Sequence, residues 1–232
     1  MATYVISDLH GQYKAFLKML QKINFTDNDE LYILGDIIDR GNQNLEIYDY
    51  IKDRENIHML MGNHEKMFLD FASAVGGKVT DDEAVHNSYR AGRALELCFH
   101  NGGQTTRMQL EEKDQDYIDA FIRYLRMLPY FDKIEVNGRK FLLCHAMPIF
   151  YEGMDFQKAL TTNIMDEGII WNREFFDQNV PDDYTVIHGH TPAKAIFSYC
   201  NGKAYNIDCG CARALRLAAI RLDDMQEYYV KC

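Results

Sequence analysis

The sequence predicts an α/β fold in which two β-sheets stack as a sandwich and helices flank it on the outside. Three features lead there. Apolar strand-like runs alternate with amphipathic helical runs over residues 3–62. Two strand–turn–strand patterns built on Asn-Gly occupy the second half. Five apolar runs each end in a turn carrying Asp, His or Asn. The 232 residues are read as one domain, 1–232, long enough to bury a sizeable core.

In order along the chain, "TYVIS" (3–7) reads as a short buried strand. "GQYKAFLKMLQKI" (11–23) places Phe16, Leu17, Leu20 and Ile23 on one helical face. "LYILG" is a second strand, "NQNLEIYDYIKDR" a second helix and "IHMLMG" (57–62) a third strand. Residues 65–128 read as mainly helical, with Gly-Gly breaks at 76–77 and 102–103 and a stop at Pro129, an insert expected to cap one end of the sheets. "YFDKIEVNGRKFLLCHA" and "AIFSYCNGKAYNID" are then expected hairpins, with the strands "YTVIHGHTP" and "ALRLAAIRL" between and after them.

Composition narrows the function. The formal net charge of −10 disfavours non-specific binding to nucleic acid or to an anionic membrane surface. No run is long and apolar enough to span a bilayer. "MATYVISDLHG" lacks the basic and cleavage-site pattern of a leader, so a cytoplasmic protein is expected. The six cysteines, without paired Cys-x-x-Cys spacing, are expected as free thiols, with "CGC" (209–211) packing near a strand end.

Five strand ends carry the chemistry: "VISDLHG" with Asp8 and His10, "YILGDIIDRG" with Asp36 and Asp39, "MLMGNHE" with Asn63 and His64, "FLLCHAM" with His145, and "TVIHGHTP" with His188 and His190. A single histidine at a strand end is more often a satisfied core or turn residue. Five such ends are hard to explain as packing, since ligands of open α/β sheets bind where strand ends converge. Carboxylates, an amide and imidazoles form a mixed O/N set suited to Mn²⁺, Fe or Zn²⁺, and less to Mg²⁺ or Ca²⁺. The surplus of ligands suggests two ions sharing a carboxylate, the arrangement that stabilises attacking and leaving oxygens in phosphoryl transfer.

In this order, "DLHG", "GDIIDRG", "GNHE", a strand-end histidine and "GHTP" resemble the signature of the calcineurin-like metallophosphoesterase superfamily. Asp39-Arg40-Gly41 and the "GNHE" are similar to its phosphoprotein phosphatase (PPP-type) branch, and the pattern is closest to compact bacterial and phage serine/threonine phosphatases. The resemblance covers roughly residues 5 to 210 and implies the α/β/β/α metallophosphatase fold.

It implies two divalent transition-metal ions, Mn²⁺ foremost, with Fe or Zn²⁺ as alternatives. Asp8 and His10 would hold the first ion, Asp36 would bridge, and Asn63, His145 and His190 would hold the second. His64 would protonate the leaving oxygen, with Asp39 keeping its imidazole charged, and Arg40 and Arg173 (in "IIWNRE") would grip phosphate. Three departures stand out: Ser7 replaces the usual glycine, "AM" follows His145, and Pro192 replaces a second histidine after "GH", leaving the first ion fewer protein ligands. Asp208, in the "NIDCGC" that resembles a late "DTG" strand, is read as architectural, and His188 as packing; His58, His86 and His100 fit no motif.

The activity this implies is hydrolysis of phosphoserine and phosphothreonine in proteins, by attack of a hydroxide bridging the ions, with small phosphoesters also accepted. The alternative is symmetrical hydrolysis of diadenosine tetraphosphate, which would need stacking aromatics and extra cations near the site. Tyr89, Arg90, Arg93 and Arg107 are the insert's candidates. A binding protein that has lost the chemistry is the third reading, disfavoured because every expected ligand is present. Partners expected are therefore a phosphoprotein or phosphoester, with neither nucleic acid nor membrane.

Overall fold

The computed structural model describes residues 1–150, 153–173, 180–181 and 183–232. The first half alternates as predicted: β1 (Thr3–Ile6), α1 (Tyr13–Lys22), β2 (Glu30–Ile33), α2 (Asn44–Ile51) and β3 (Ile57–Met59). The insert forms α3 (Asn63–Ala74), α4 (Asp82–His86), α5 (Tyr89–His100), α6 (Gln104–Leu110) and α7 (Gln115–Arg126). Asp81, Ser88 and Asp114 start α4, α5 and α7 by accepting first-turn backbone N–H groups on their side chains. The remainder is β4 (Phe131–Val136), β5 (Arg139–Cys144), α8 (Phe156–Met165), α9 (Gly168–Trp171), β6 (Tyr184–His188), β7 (Phe197–Tyr199), β8 (Ala204–Asn206), β9 (Arg216–Arg221) and β10 (Gln226–Lys231).

One sheet has the order β10-β9-β1-β2-β3 and the other β4-β5-β6-β8-β7. Strands β1, β2 and β3 run parallel, as do β5, β6 and β8, so the loops leaving them open on one edge. Both expected hairpins form. Val136 pairs with Arg139 across Asn137-Gly138, and both turn residues have positive φ, as a tight two-residue turn demands.

Side-chain alternation produces the layers. In β1, Val5 faces the other sheet while Tyr4 and Ile6 face the helices. In β5, Phe141 and Leu143 fill the space between the sheets while Leu142 and Cys144 pack beneath α8 and α9. The insert is less a separate cap than part of the helical layer. Phe68, Phe71, Ile118 and Phe121 join Ile47 and Tyr48 in the same core as β1 and β2.

Two features depart from expectation. Strand β10 lies in the charged tail "DDMQEYYVKC", where Met225, Tyr228, Tyr229, Val230 and Cys232 are the apolar residues, too scattered to mark a strand without its neighbour. Its antiparallel pairing with β9 brings the far ends of the hairpin together. Cys211 and Cys232 there form a disulfide with Cα atoms 5.6 Å apart, correcting the expectation of six free thiols. Their 21-residue separation carries no local motif; strand register alone makes them neighbours. Cys98, Cys144, Cys200 and Cys209 remain thiols. Among the described residues no helix is long and apolar enough to cross a membrane.

Candidate active site

Asp8, His10, Asp36, Asp39, Arg40 and His190 all have left-handed backbone, with φ between 43° and 70°. Such conformations cost on the order of 1–3 kcal/mol each in non-glycine residues and persist only where their surroundings over-determine them. Crossing hydrogen bonds do so here. The His10 amide donates to Asp36 O (2.9 Å) and the Gly11 amide to Ile37 O (2.8 Å). Glu65, fully buried, accepts the N–H groups of Asp36 (2.8 Å), Ile37 (2.9 Å) and Gly62 (3.1 Å), tying "GDIID" to "GNHE". The close approach excludes a side chain at Gly62, where a Cβ would lie 2.6 Å from the Asp36 amide nitrogen. At Gly189 it would strike Ser7 and Asp8.

The five strand ends converge. Ligand atoms of His10, Asp36 and His64 lie within 4.8 Å of one another, and so do those of Asp36, His145 and His190. Asp36 belongs to both groups, the position expected of a shared carboxylate. Its Oδ2 is 3.5 Å from His10 Nε2 and 3.5 Å from His145 Nε2. Asn63 Oδ1 lies 2.9 Å, and His190 Nδ1 3.1 Å, from His145 Nε2. Asp8 is in neither group: its Oδ2 accepts the His190 amide at 3.0 Å and the Ser7 hydroxyl, so the Ser7 departure adds a donor to the carboxylate.

The donor set fits a cation on chemical grounds. His10 and His145 give their Nδ1–H to the carbonyls of Ile38 (2.8 Å) and Leu34 (2.7 Å), which leaves each Nε2 as a lone pair. At His145 that lone pair faces an amide oxygen and a carboxylate oxygen, both acceptors. Buried acceptors facing one another need a positive charge between them.

His64 gives Nδ1–H to Asp39 Oδ2 (2.7 Å), and Asp39 Oδ1 takes the hydroxyl proton of Thr106. Arg40 donates from one guanidinium nitrogen to His10 Nε2 (3.0 Å) and from another to His64 Nε2 (2.8 Å). Arg173 reaches His190 O at 3.4 Å, placing a second guanidinium beside the cluster. Asp208 is buried, accepts the Gly210 amide (2.8 Å) and offers its carbonyl to Ala193 (2.9 Å), an architectural role in the loop after "GHTP".

Burial dominates the electrostatics. It drives the carboxyl of Asp36 well upward, with Asp8's charge adding to it. Burial likewise lifts Asp39 to about 7 and Glu65 to about 8. The imidazoles of His10 and His64 are pushed down by burial and by neighbouring cationic groups. Asp39 Oδ2 orients the His64 ring, while burial first and the Arg40 guanidinium next push its imidazole down from its ordinary value.

Sequence reasoning missed Glu65 and Thr106. Glu65 was legible as the acid three residues into a helix after Gly62; Thr106, 67 residues from Asp39, carried no signal. His188 lies edge-on to Tyr199 and hydrogen-bonds the Tyr199 hydroxyl through Nε2. His58 pairs with Glu30 at the far end of the sheet. Of the insert's cations, Arg107 binds Asp82 and Thr80 within the insert, and Arg93 pairs with Glu96 on the surface. Tyr89 is 86% exposed.

Two sheets whose parallel strands deliver a buried cluster of Asp, His and Asn, with arginines at its rim, define the metal-dependent phosphoesterase class. The calcineurin-like phosphoesterase family matches residues 1–222, and the chain belongs to that family. Family membership implies hydrolase chemistry with two divalent metals, and two groups of Asp and His side chains here could hold them.

Among curated relatives it is 40% identical over 100 residues to a symmetrical bis(5'-nucleosyl)-tetraphosphatase of Haemophilus ducreyi, covering 42% of this chain and 36% of that one. It is 27% identical over 177 residues to the protein of that name from Buchnera aphidicola, covering 75% and 53%. The chain thus spans about a third to a half of the length of these relatives.

Two solved structures share the fold. A protein described provisionally as a diadenosine tetraphosphatase has a TM-score of 0.63 at 17% identity, covering 99% of this chain and 92% of that one. A serine/threonine phosphatase of Saccharomyces cerevisiae has a TM-score of 0.53 at 13% identity, covering 99% and 79%.

Proposed function

We propose that this protein hydrolyses phosphoric anhydrides and esters with two divalent cations, and that dinucleoside tetraphosphates, cleaved symmetrically, are its preferred substrates over phosphoproteins. The observation that carries the phosphoryl chemistry is the set of acceptors converging on Asp36 Oδ2 with two guanidinium groups alongside. The names of the curated relatives support the dinucleotide over the protein-phosphatase reading.

Bound cations supply Lewis acidity and an activated water at such a site. Asp8, His10, Asp36, Asn63, His145 and His190 are the residues that would hold them, with Mn²⁺ preferred and Fe or Zn²⁺ as alternatives. Arg40 and Arg173 grip the phosphate oxygens, for which forked guanidinium groups are shaped. A phosphate anion on Arg40 also offsets the guanidinium charge beside His64, so that Nε2 can take up a proton from solvent. His64, aimed by Asp39, then gives that proton to the departing oxygen.

Turnover of diadenosine tetraphosphate and of a phosphoserine peptide with Mn²⁺ tests the preference. A kcat/KM favouring the dinucleotide by about a hundredfold or more is expected if it is the preferred substrate; the reverse order overturns the substrate assignment. Asp36→Asn should lose bound metal by elemental analysis, and His64→Asn should keep metal yet lose about a hundredfold or more in turnover of phenyl phosphate, whose leaving oxygen needs a proton. Unchanged rates in both variants would remove the mechanism.

A further inference from the structure

The hydroxyl of Thr106 has a complete set of partners inside the protein. It donates its proton to Asp39 Oδ1, accepts the Asp39 backbone N–H at 3.0 Å and accepts from Asn44 Nδ2 at 3.3 Å. One donor and two acceptor sites are all a hydroxyl has, and all are used. Thr106 is fully buried on α6, far along the chain from the strand ends. Asp39 is left-handed (φ 70°), a backbone state that needs external support. With Oδ1 held by Thr106, the other carboxylate oxygen is aimed at His64 Nδ1.

We infer that Thr106 is a positioning residue for proton transfer: it clamps both the backbone and the carboxylate of Asp39, and so sets the orientation of His64 toward the leaving oxygen. Through α6, the helical insert acts on the reaction without touching substrate. The neighbouring corner does the same for phosphate binding, since Gly102 O accepts the Arg40 amide at 3.0 Å and Asn101 O accepts its Nε at 3.3 Å. This inference rests on the phosphoryl-hydrolysis reading, with His64 as the proton donor.

The test compares wild type, Thr106→Val, Thr106→Ala and Thr106→Ser on two monoesters in Mn²⁺. p-Nitrophenolate departs with little help, whereas phenolate needs a proton. Losing a hydrogen bond to a carboxylate should lower kcat for phenyl phosphate by about tenfold or more in the Val and Ala variants. The same variants should lose less than about threefold on p-nitrophenyl phosphate, with KM unchanged for both esters, because phosphate binding is intact. Serine, which keeps the hydroxyl, should restore the phenyl phosphate rate to within about twofold.

A second reading needs no turnover. In the metal-free protein the downfield Nδ1–H resonance of His64 should shift in the Val and Ala variants and stay in place in the Ser variant. Equal losses on both esters, or none, overturn the inference, as does a serine variant no better than alanine. If either the Val or the Ala variant fails to fold, the other supplies the comparison; if both fail, an unshifted resonance and full rate in the serine variant cannot rescue the inference, because the role is then structural. Absence of metal-dependent turnover of both esters by wild type overturns the parent reading itself, an outcome distinct from equal losses in an active enzyme.

Discussion

Removing the carboxylate of Glu65 should loosen the junction between the loops carrying Asp36 and Asn63. Three buried N–H groups, those of Asp36, Ile37 and Gly62, share this one acceptor at 2.8 to 3.1 Å. In Glu65→Ala all three lose it. With each buried N–H left without an acceptor costing about 1–3 kcal/mol, and water recovering part in the space left, a net cost of about 4 kcal/mol is expected. Glu65→Gln keeps one oxygen, which serves Asp36 and Gly62, but sets its NH₂ against the Ile37 N–H; about 2 kcal/mol should be lost.

Urea unfolding in metal-free buffer reads both, without the added stabilisation that bound metal would give. With a slope of about 3 kcal/mol/M for a chain of this size, the midpoint should fall by about 1.3 M in the alanine variant and 0.7 M in the glutamine variant. An alanine variant within about 1 kcal/mol of wild type would refute the reasoning, because even one orphaned buried donor costs that much. A glutamine variant as damaged as alanine would show that charge, not hydrogen bonding, holds the loops.

The disulfide and the core give further expected outcomes. Thiol titration of the unfolded chain should find four reactive cysteines without reductant and six after it; six in both would remove the Cys211–Cys232 bond. Cys232→Ser should cost about 3 kcal/mol, the loop-closure value for this 21-residue separation, read as a lower unfolding temperature that reductant lowers no further. Phe121→Ala should cost about 3–5 kcal/mol. That ring is fully buried, edge-on to Tyr48 and tilted against Phe68, so a loss below about 1 kcal/mol would mean that the insert does not share the core of the first sheet.

Much of the architecture is legible because it is local. Alternation in "TYVI" and "FLLC" shows in the sequence as the two faces of a buried strand, and Asn137-Gly138 carries its own turn geometry. Strand β10 was not legible, because its apolar face exists only relative to β9. The same holds for Cys211 and Cys232, which register brings together.

The site divides along the same line. Which residues to expect at the site was legible in the sequence alone: Asp8, Asp36, Asn63, His145 and His190 each stand where an apolar run ends, and no packing need accounts for five such ends. Their protonation and aim were decided by the tertiary structure. The family pattern implies Asp39 as the carboxylate partner of His64; in the fold that contact forms, while burial and the Arg40 guanidinium push the imidazole down from its ordinary value. Thr106 and Glu65 do their work across loops, through a hydroxyl on the insert and a carboxylate shared by three amides. The physical reason is one of range: side-chain periodicity and turn chemistry act over a few residues, whereas desolvation and hydrogen-bond satisfaction depend on every group the fold brings within reach.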